Sequence, residues 1–208
     1  MGNMVDLVRM NIDYVDNPYW SVMQVKVKQL DQDTQRTIGE LDKGKVLLFV
    51  NMSVEDKQKL EESEQLKKLK MLESGNPLRN RDLAILLKNC GFYNPAVLNP
   101  HMKFLQKVKK LSTNIQSYIQ MDINGNEMDN LYKFLKRNSA LFSPKFGRAY
   151  RIKESYAKFL CNRYGEVKHY YNPGVEFAVI EADVRRLLEE QFNEIKYDKL
   201  LNPPDNYL

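Results

Sequence analysis

Between residues 102 and 119, Met102, Leu105, Val108, Leu111, Ile115, Tyr118 and Ile119 recur mostly three and four positions apart. That spacing predicts an amphipathic helix with one buried stripe. Lys103, Lys107, Lys109 and Lys110 fill the positions between, with no acidic residue, so its outer face is expected to be basic. A second strong pattern, over residues 176–196, places Phe177, Ile180, Val184, Leu187, Leu188, Phe192 and Ile195 on one helical face. The expectation is a core joining Leu105, Val108, Leu111 and Ile115 to Val184, Leu187 and Leu188.

Elsewhere the pattern is shorter. Val5, Val8, Ile12 and Val15 suggest a first helix, stopped by Asn17-Pro18, because the residue before proline is pushed out of the helical region. Val25 and Val27 alternate with lysines, and residues 45–50 form a short apolar, β-branched run. The two read as an antiparallel strand pair, with a helix over residues 21–32 as the alternative to the first strand. Ser53 and Asp56 resemble a capping box for a charged helix over residues 54–72, striped thinly by Leu60, Leu66, Leu69 and Leu72. Ser74-Gly75-Asn76-Pro77 then breaks the chain. Further helices are expected over residues 81–90, around Leu131 and Phe134, and around Ile152, Tyr156, Phe159 and Leu160, with a turn at residues 169–174. The fold class expected is therefore mainly α, a helical bundle-like domain with a small β-hairpin or β element near the N-terminus. Its organisation would be an N-terminal lobe (1–76), a basic helical core domain (77–198) and an extended C-terminal tail (199–208) containing Pro203-Pro204.

Composition fits a folded globular chain: 208 residues, 43% hydrophobic and 28% charged. No apolar run approaches membrane-spanning length, and no membrane partner is expected. Cys90 and Cys161 lack metal-ligand spacing and read as reduced, buried thiols. The net charge of +5 is uneven, since residues 79–172 hold 17 Lys/Arg against 6 Asp/Glu, between mildly acidic ends. Such segregation suits either solvated or mutually paired faces, or contact with nucleic acid.

Candidate chemistry is sparse. His101 and His169 fit no zinc, triad or metalloprotease pattern, and no glycine-rich loop cradles a phosphate. Glu166 and Lys168 have the Glu-x-Lys form of some metal nucleases but lack a second acid on a preceding strand. The run from Asp122 through Gly125 to Glu127 lacks the ligands of a calcium loop. No catalytic residue, metal, cofactor or small-molecule substrate is assigned, and the chain is expected not to be an enzyme. One constellation stands out. Lys145, Phe146, Arg148, Arg151 and Lys153, with Lys136 and Arg137 upstream, interleave cations with aromatics in an expected loop, suited to a polyanion such as DNA or RNA. The opposing reading tucks the aromatics into the core while the cations point outward. Trp20, Tyr207 and Leu208 are candidate subunit contacts.

Thin-striped charged helices, an extended tail and segregated charge together suggest a homo-oligomer inside a larger assembly. The function expected is a structural component of a viral particle, such as a head-to-tail connector ring lining a nucleic-acid conduit. It would sit in the virion and assemble in the host cytoplasm. The alternative is a free nucleic-acid-binding accessory protein in the cytoplasm.

Overall fold

The computed structural model describes residues 12–29, 33–52, 59–74, 82–89, 115–118 and 122–202. Most of the stretch at residues 102–119 therefore lies outside the described residues, as do Val5, Val8, Tyr207 and Leu208.

A five-stranded sheet organises what is described. Its order is β10 (Val167–Tyr171), β9 (Lys158–Cys161), β4 (Val46–Met52), β5 (Leu83–Asn89) and β6 (Gln116–Tyr118). β4 and β5 run parallel in unbroken register from Val46↔Leu83 to Met52↔Asn89, and β6 extends the parallel part. β9 pairs antiparallel with β4, and β10 with β9. Every residue of β4 is buried. This follows from its sequence, since a central strand covered on both faces reads as a continuous apolar run.

Alternation along the strands divides the interior into two layers. Val46, Leu48, Val50 and Met52 face one layer with Ile85, Leu87 and Leu160, closed by Leu66 and Leu69 of α2 (Lys59–Ser74) and by Ile180, Val184 and Leu187 of α4 (Phe177–Glu189). Ile115 lies in this layer with Val184 and Leu187, the one described part of the expected shared core. Leu47, Phe49, Leu86 and Phe159 face the other. There they meet Ile38 of α1 (Ile38–Asp42), Leu131, Tyr132, Phe134 and Leu135 of α3 (Asn130–Arg137), and Tyr197 of α5 (Glu194–Leu201). Smaller sheets, β2 (Lys26–Lys28) with β3 (Gln35–Thr37) and β1 (Ile12–Tyr14) with β8 (Arg148–Tyr150) and β7 (Phe142–Ser143), flank this core.

The mainly α expectation is thus corrected to a mixed α/β fold built on a largely buried sheet. Residues 83–89 are a strand, not a helix, because the apolar run over residues 83–87 is buried on both faces beside β4. The apparent helical spacing of Tyr156, Phe159 and Leu160 falls on the approach to β9 and on β9 itself. The turn expected at residues 169–174 begins within β10. β4 pairs with β5 and β9, whereas residues 26–28 pair with β3. The helix expected over residues 176–196 is two helices. Glu190 turns extended, and Asn193 caps α5 by accepting a hydrogen bond from the Lys196 N–H at 2.9 Å. The tail expected to be extended from residue 199 is helical to Leu201. The helix around Leu131 and Phe134 stands as expected, capped by Asp129.

Phe159 touches the rings of both Tyr132 and Tyr170, with centroids 6.3 and 5.1 Å away, and so links α3 to the sheet. Phe159→Ala is expected to cost about 3–5 kcal/mol in chemical denaturation. A loss below about 1 kcal/mol would show that this layer is not a packed core.

Candidate functional site

In sheets with parallel strands, ligands and chemistry gather beyond the strands' carboxyl ends. Here that edge is the end of β4 and β5, next to the start of β9. Asn51 lies there, 2% exposed. Its Nδ2 donates to the Glu154 carbonyl at 3.2 Å. Its Oδ1 is buried with no hydrogen-bond partner among the described residues. Its backbone pairs with the entry to β9: the Tyr156 N–H donates to the Asn51 carbonyl at 2.7 Å, and the Asn51 N–H to the Ala157 carbonyl at 3.2 Å.

Tyr156 has φ +67°, the one non-glycine residue with positive φ among the described residues. A bulky side chain in this region costs about 1–2 kcal/mol, and such strain tends to collect where function demands a particular backbone shape. Two residues on, Lys158 opens β9. It stands opposite Val50 on one side and Tyr171 on the other, so it projects into the layer under α2 and α4. It is 1% exposed. Its Nζ donates to the Tyr156 carbonyl at 2.8 Å and meets no carboxylate among the described residues. Burial, with repulsion from Lys68, lowers its pKa from 10.5 to about 8. A buried lysine with no carboxylate partner among the described residues, at the same strand end as a strained residue and, on the other face, an amide oxygen unsatisfied among the described residues, has the marks of a site rather than of packing.

Cys161, by contrast, is inert. It is fully buried in β9 opposite Leu47, and burial raises its thiol pKa, so it resists forming a thiolate. The expectation of a buried thiol holds for it. Cys90 follows Asn89 in the chain and lies outside the described residues.

The residues singled out for polyanion contact do not form one face. Lys136 is fully buried. Its Nζ donates to Asp13 Oδ2 at 2.9 Å, to Asn124 Oδ1 at 3.1 Å and to the Ile123 carbonyl at 3.5 Å. Arg151 donates to the other Asp13 oxygen at 2.7 Å. Burial pushes the Asp13 carboxyl up, but hydrogen bonds from Lys136 and Arg151 outweigh it and hold the pKa below the usual value. This cluster ties β1 to α3 and to the approach to β9. Arg137 lies over the Phe142 ring, 3.8 Å from its centroid. Lys145 is exposed near Phe146, Arg148 is half-buried on β8, and Lys153 is exposed. Trp20 is 52% exposed. The described residues contain no cluster of three or more His, Cys, Asp or Glu able to hold a metal, and no helix long and apolar enough to cross a membrane.

The expected constellation does not include Asn51, Tyr156 and Lys158, which the strand-end geometry makes candidates. The usable signals were a lysine beside the apolar Phe159-Leu160-Cys161 run and the position of residues 51–52 at the end of a buried strand.

Comparison with known proteins fits this architecture. No family profile matches the chain. A glutathione peroxidase of Schistosoma mansoni is 29% identical over 150 residues, 72% of this chain and 83% of the relative. A probable phospholipid hydroperoxide glutathione peroxidase of Helianthus annuus is 38% identical over 71 residues, 34% of this chain. The chain spans only 37% of the length of that plant relative. Among solved structures, the apo form of Trgpx superposes with a TM-score of 0.63 at 18% identity, covering 83% of this chain and 99% of the other. A thioredoxin-like superfamily protein superposes with a TM-score of 0.55 at 12% identity, covering 83% and 100%. The fold is thioredoxin-like. The sequence relatives are glutathione peroxidases and not particle components, which overturns the expectations of a viral connector, of a virion location and of a chain that is not an enzyme.

The Lys158 environment makes a testable statement about stability. Because its folded pKa of about 8 lies below the ordinary 10.5, the folded chain binds fewer protons than the unfolded chain between those values. Stability should therefore rise as pH climbs through about 8 to 10.5, and at neutral pH the buried charge costs about 3 kcal/mol. Lys158→Met should raise the denaturant midpoint at pH 7 and flatten that pH dependence. Destabilisation by more than about 1 kcal/mol at pH 7 would contradict the uncompensated charge.

Proposed function

We propose that this chain is a thiol-dependent peroxidase that reduces hydroperoxides. The observation that carries the reading is the match to a glutathione peroxidase across 72% of the chain. The shared fold and the polar site at the carboxyl end of β4 support it.

The reaction needs an accessible thiol, and the chain contains two cysteines. Cys161 is excluded by burial and by its raised pKa, which leaves Cys90, the residue after the last position of β5. The Cys90 thiolate attacks the terminal oxygen of the hydroperoxide. An S–O bond forms, the O–O bond breaks, and the alkoxide leaves as an alcohol after taking a proton from water. The sulfur becomes a sulfenic acid. A first external thiol condenses with it, releasing water and leaving a mixed disulfide. A second thiol attacks that disulfide, returning Cys90 to the thiolate and leaving as the oxidised disulfide.

An external reductant is required by geometry. Asn89 pairs with Met52 and Cys161 with Leu47, five residues apart on β4. That separation is about 16 Å, whereas a disulfide needs Cα atoms within about 7 Å. Glutathione is the reductant class that the relatives' names suggest.

Cys90→Ser should abolish glutathione-dependent consumption of an organic hydroperoxide, and Cys161→Ser should leave the rate within about twofold of the parent. The assay couples oxidised glutathione to NADPH loss. Full activity in Cys90→Ser, or none in the parent, would overturn the reading.

A further inference from the structure

β10 is antiparallel to β9, and β9 to β4, so the carboxyl ends of β10 and β4 point the same way. At that side of the sheet an open cleft of about 400 Å³ lies between two segments. Arg151, Lys153 and Glu154, on the approach to β9, line it from one of them. Tyr170 and the turn Asn172-Pro173-Gly174, at the end of β10, line it from the other. The size falls in the range of small-molecule sites, about 300–1,000 Å³.

Both segments are held in place. The Arg151 Nε–H donates to Asp13 Oδ1 at 2.7 Å, and buried Lys136 donates to the other Asp13 oxygen at 2.9 Å. Asp13 is thus fixed from behind and in turn fixes the guanidinium. Asn124 accepts from the Ile152 N–H at 2.9 Å and donates to the Ile152 carbonyl at 2.8 Å, pinning the residue between the two cations. Asn51 holds the Glu154 carbonyl. Across the cleft, Asn172 Oδ1 accepts from the Gly174 N–H at 3.1 Å, and the Asn172 carbonyl from the Val175 N–H at 3.2 Å, which closes the turn. The Tyr170 ring is anchored on Phe159. A cleft whose walls are ordered beforehand loses little freedom when a ligand arrives.

The charges define what fits. Arg151 and Lys153 are cations, and Arg151 keeps further N–H donors in the fork geometry that matches a carboxylate. Glu154 is the anion. Burial, and then the negative charge of Glu154, raise the Tyr170 pKa, which puts that carboxylate near the tyrosine hydroxyl. Two positive groups and one negative group complement two carboxylates and one ammonium. Tyr170 and Pro173 supply apolar surface for the carbon skeleton between them.

We propose that this cleft binds a small acidic amino acid or peptide, its carboxylates on Arg151 and Lys153 and its ammonium on Glu154. The proposal does not rest on the peroxidase reading, and its test measures binding without turnover. It gives the convergence of Asp13, Lys136, Asn124 and Asn51 on one exposed segment a purpose, which is to hold charged side chains ready at the strand ends.

The test is calorimetric titration of the full chain with L-glutamate, with L-alanyl-L-glutamate, and with glutarate, which has two carboxylates and no ammonium. The parent should bind L-glutamate or the dipeptide saturably at one site, and glutarate about fivefold more weakly. The tighter of the first two identifies a free amino acid or a peptide as the ligand. Lys153→Met should weaken the tighter probe about fivefold. Arg151→Lys should weaken it about tenfold, since lysine keeps the charge and loses the fork. Glu154→Gln should abolish the preference over glutarate. Lys153 and Glu154 are exposed, so those two variants leave the packing intact. No saturable binding of either probe below about 10 mM overturns the proposal. Equal binding of glutarate by the parent, or binding unchanged in both Lys153→Met and Glu154→Gln, overturns it as well.

Discussion

The burial of β4 on both faces is the constraint on which the rest of the structure depends. Seven consecutive residues, Val46–Met52, are removed from water. That is satisfied only if hydrogen-bonded strands lie on both edges and apolar layers on both faces. β5 and β9 supply the edges, α2 and α4 one layer, and α1, α3 and α5 the other. Because β5 is parallel to β4 and β9 antiparallel, the carboxyl ends of two strands and the start of a third meet at one edge of the sheet. Backbone order in the core thereby fixes where polar groups can be gathered.

At that edge the fold accepts costs it avoids elsewhere. Compare the two buried lysines. Lys136 meets Asp13, Asn124 and the Ile123 carbonyl, so its burial is compensated by a full set of acceptors. Among the described residues Lys158 meets one carbonyl, offered by a residue in a left-handed conformation. The first is an internal clamp between β1 and α3. The second holds a charge whose burial lowers its pKa. Cys161 sits deep in the layer that needs an inert small side chain.

The sequence pattern made some of this legible. Residues 45–50 read correctly as a strand because they are short, β-branched and bounded by Gly44. The α3 helix was equally plain, with Leu131, Phe134 and Leu135 at helical spacing. Residues 83–89 misled because a strand buried on both faces loses the alternation that distinguishes it from a buried helix. Tyr156, Phe159 and Leu160 misled because three or four residues can match a helical period by chance. The excess of Lys and Arg over residues 79–172 suggested a nucleic-acid surface, yet Lys136 and Lys158 from that segment are internal and Arg151 is paired with Asp13. Charge counted along a chain does not distinguish an exposed cation from a buried one. Lys158 could not be found from spacing, because its burial is a property of the fold.

The central claim is that the chain's redox chemistry belongs to the thiol after β5 and not to the one inside β9. The most direct measurement is dimedone trapping of sulfenic acid after one equivalent of an organic hydroperoxide, located by tandem mass spectrometry on the native protein. The account predicts the adduct on Cys90 and none on Cys161. An adduct on Cys161, or no adduct on either cysteine while peroxide is consumed, would contradict it.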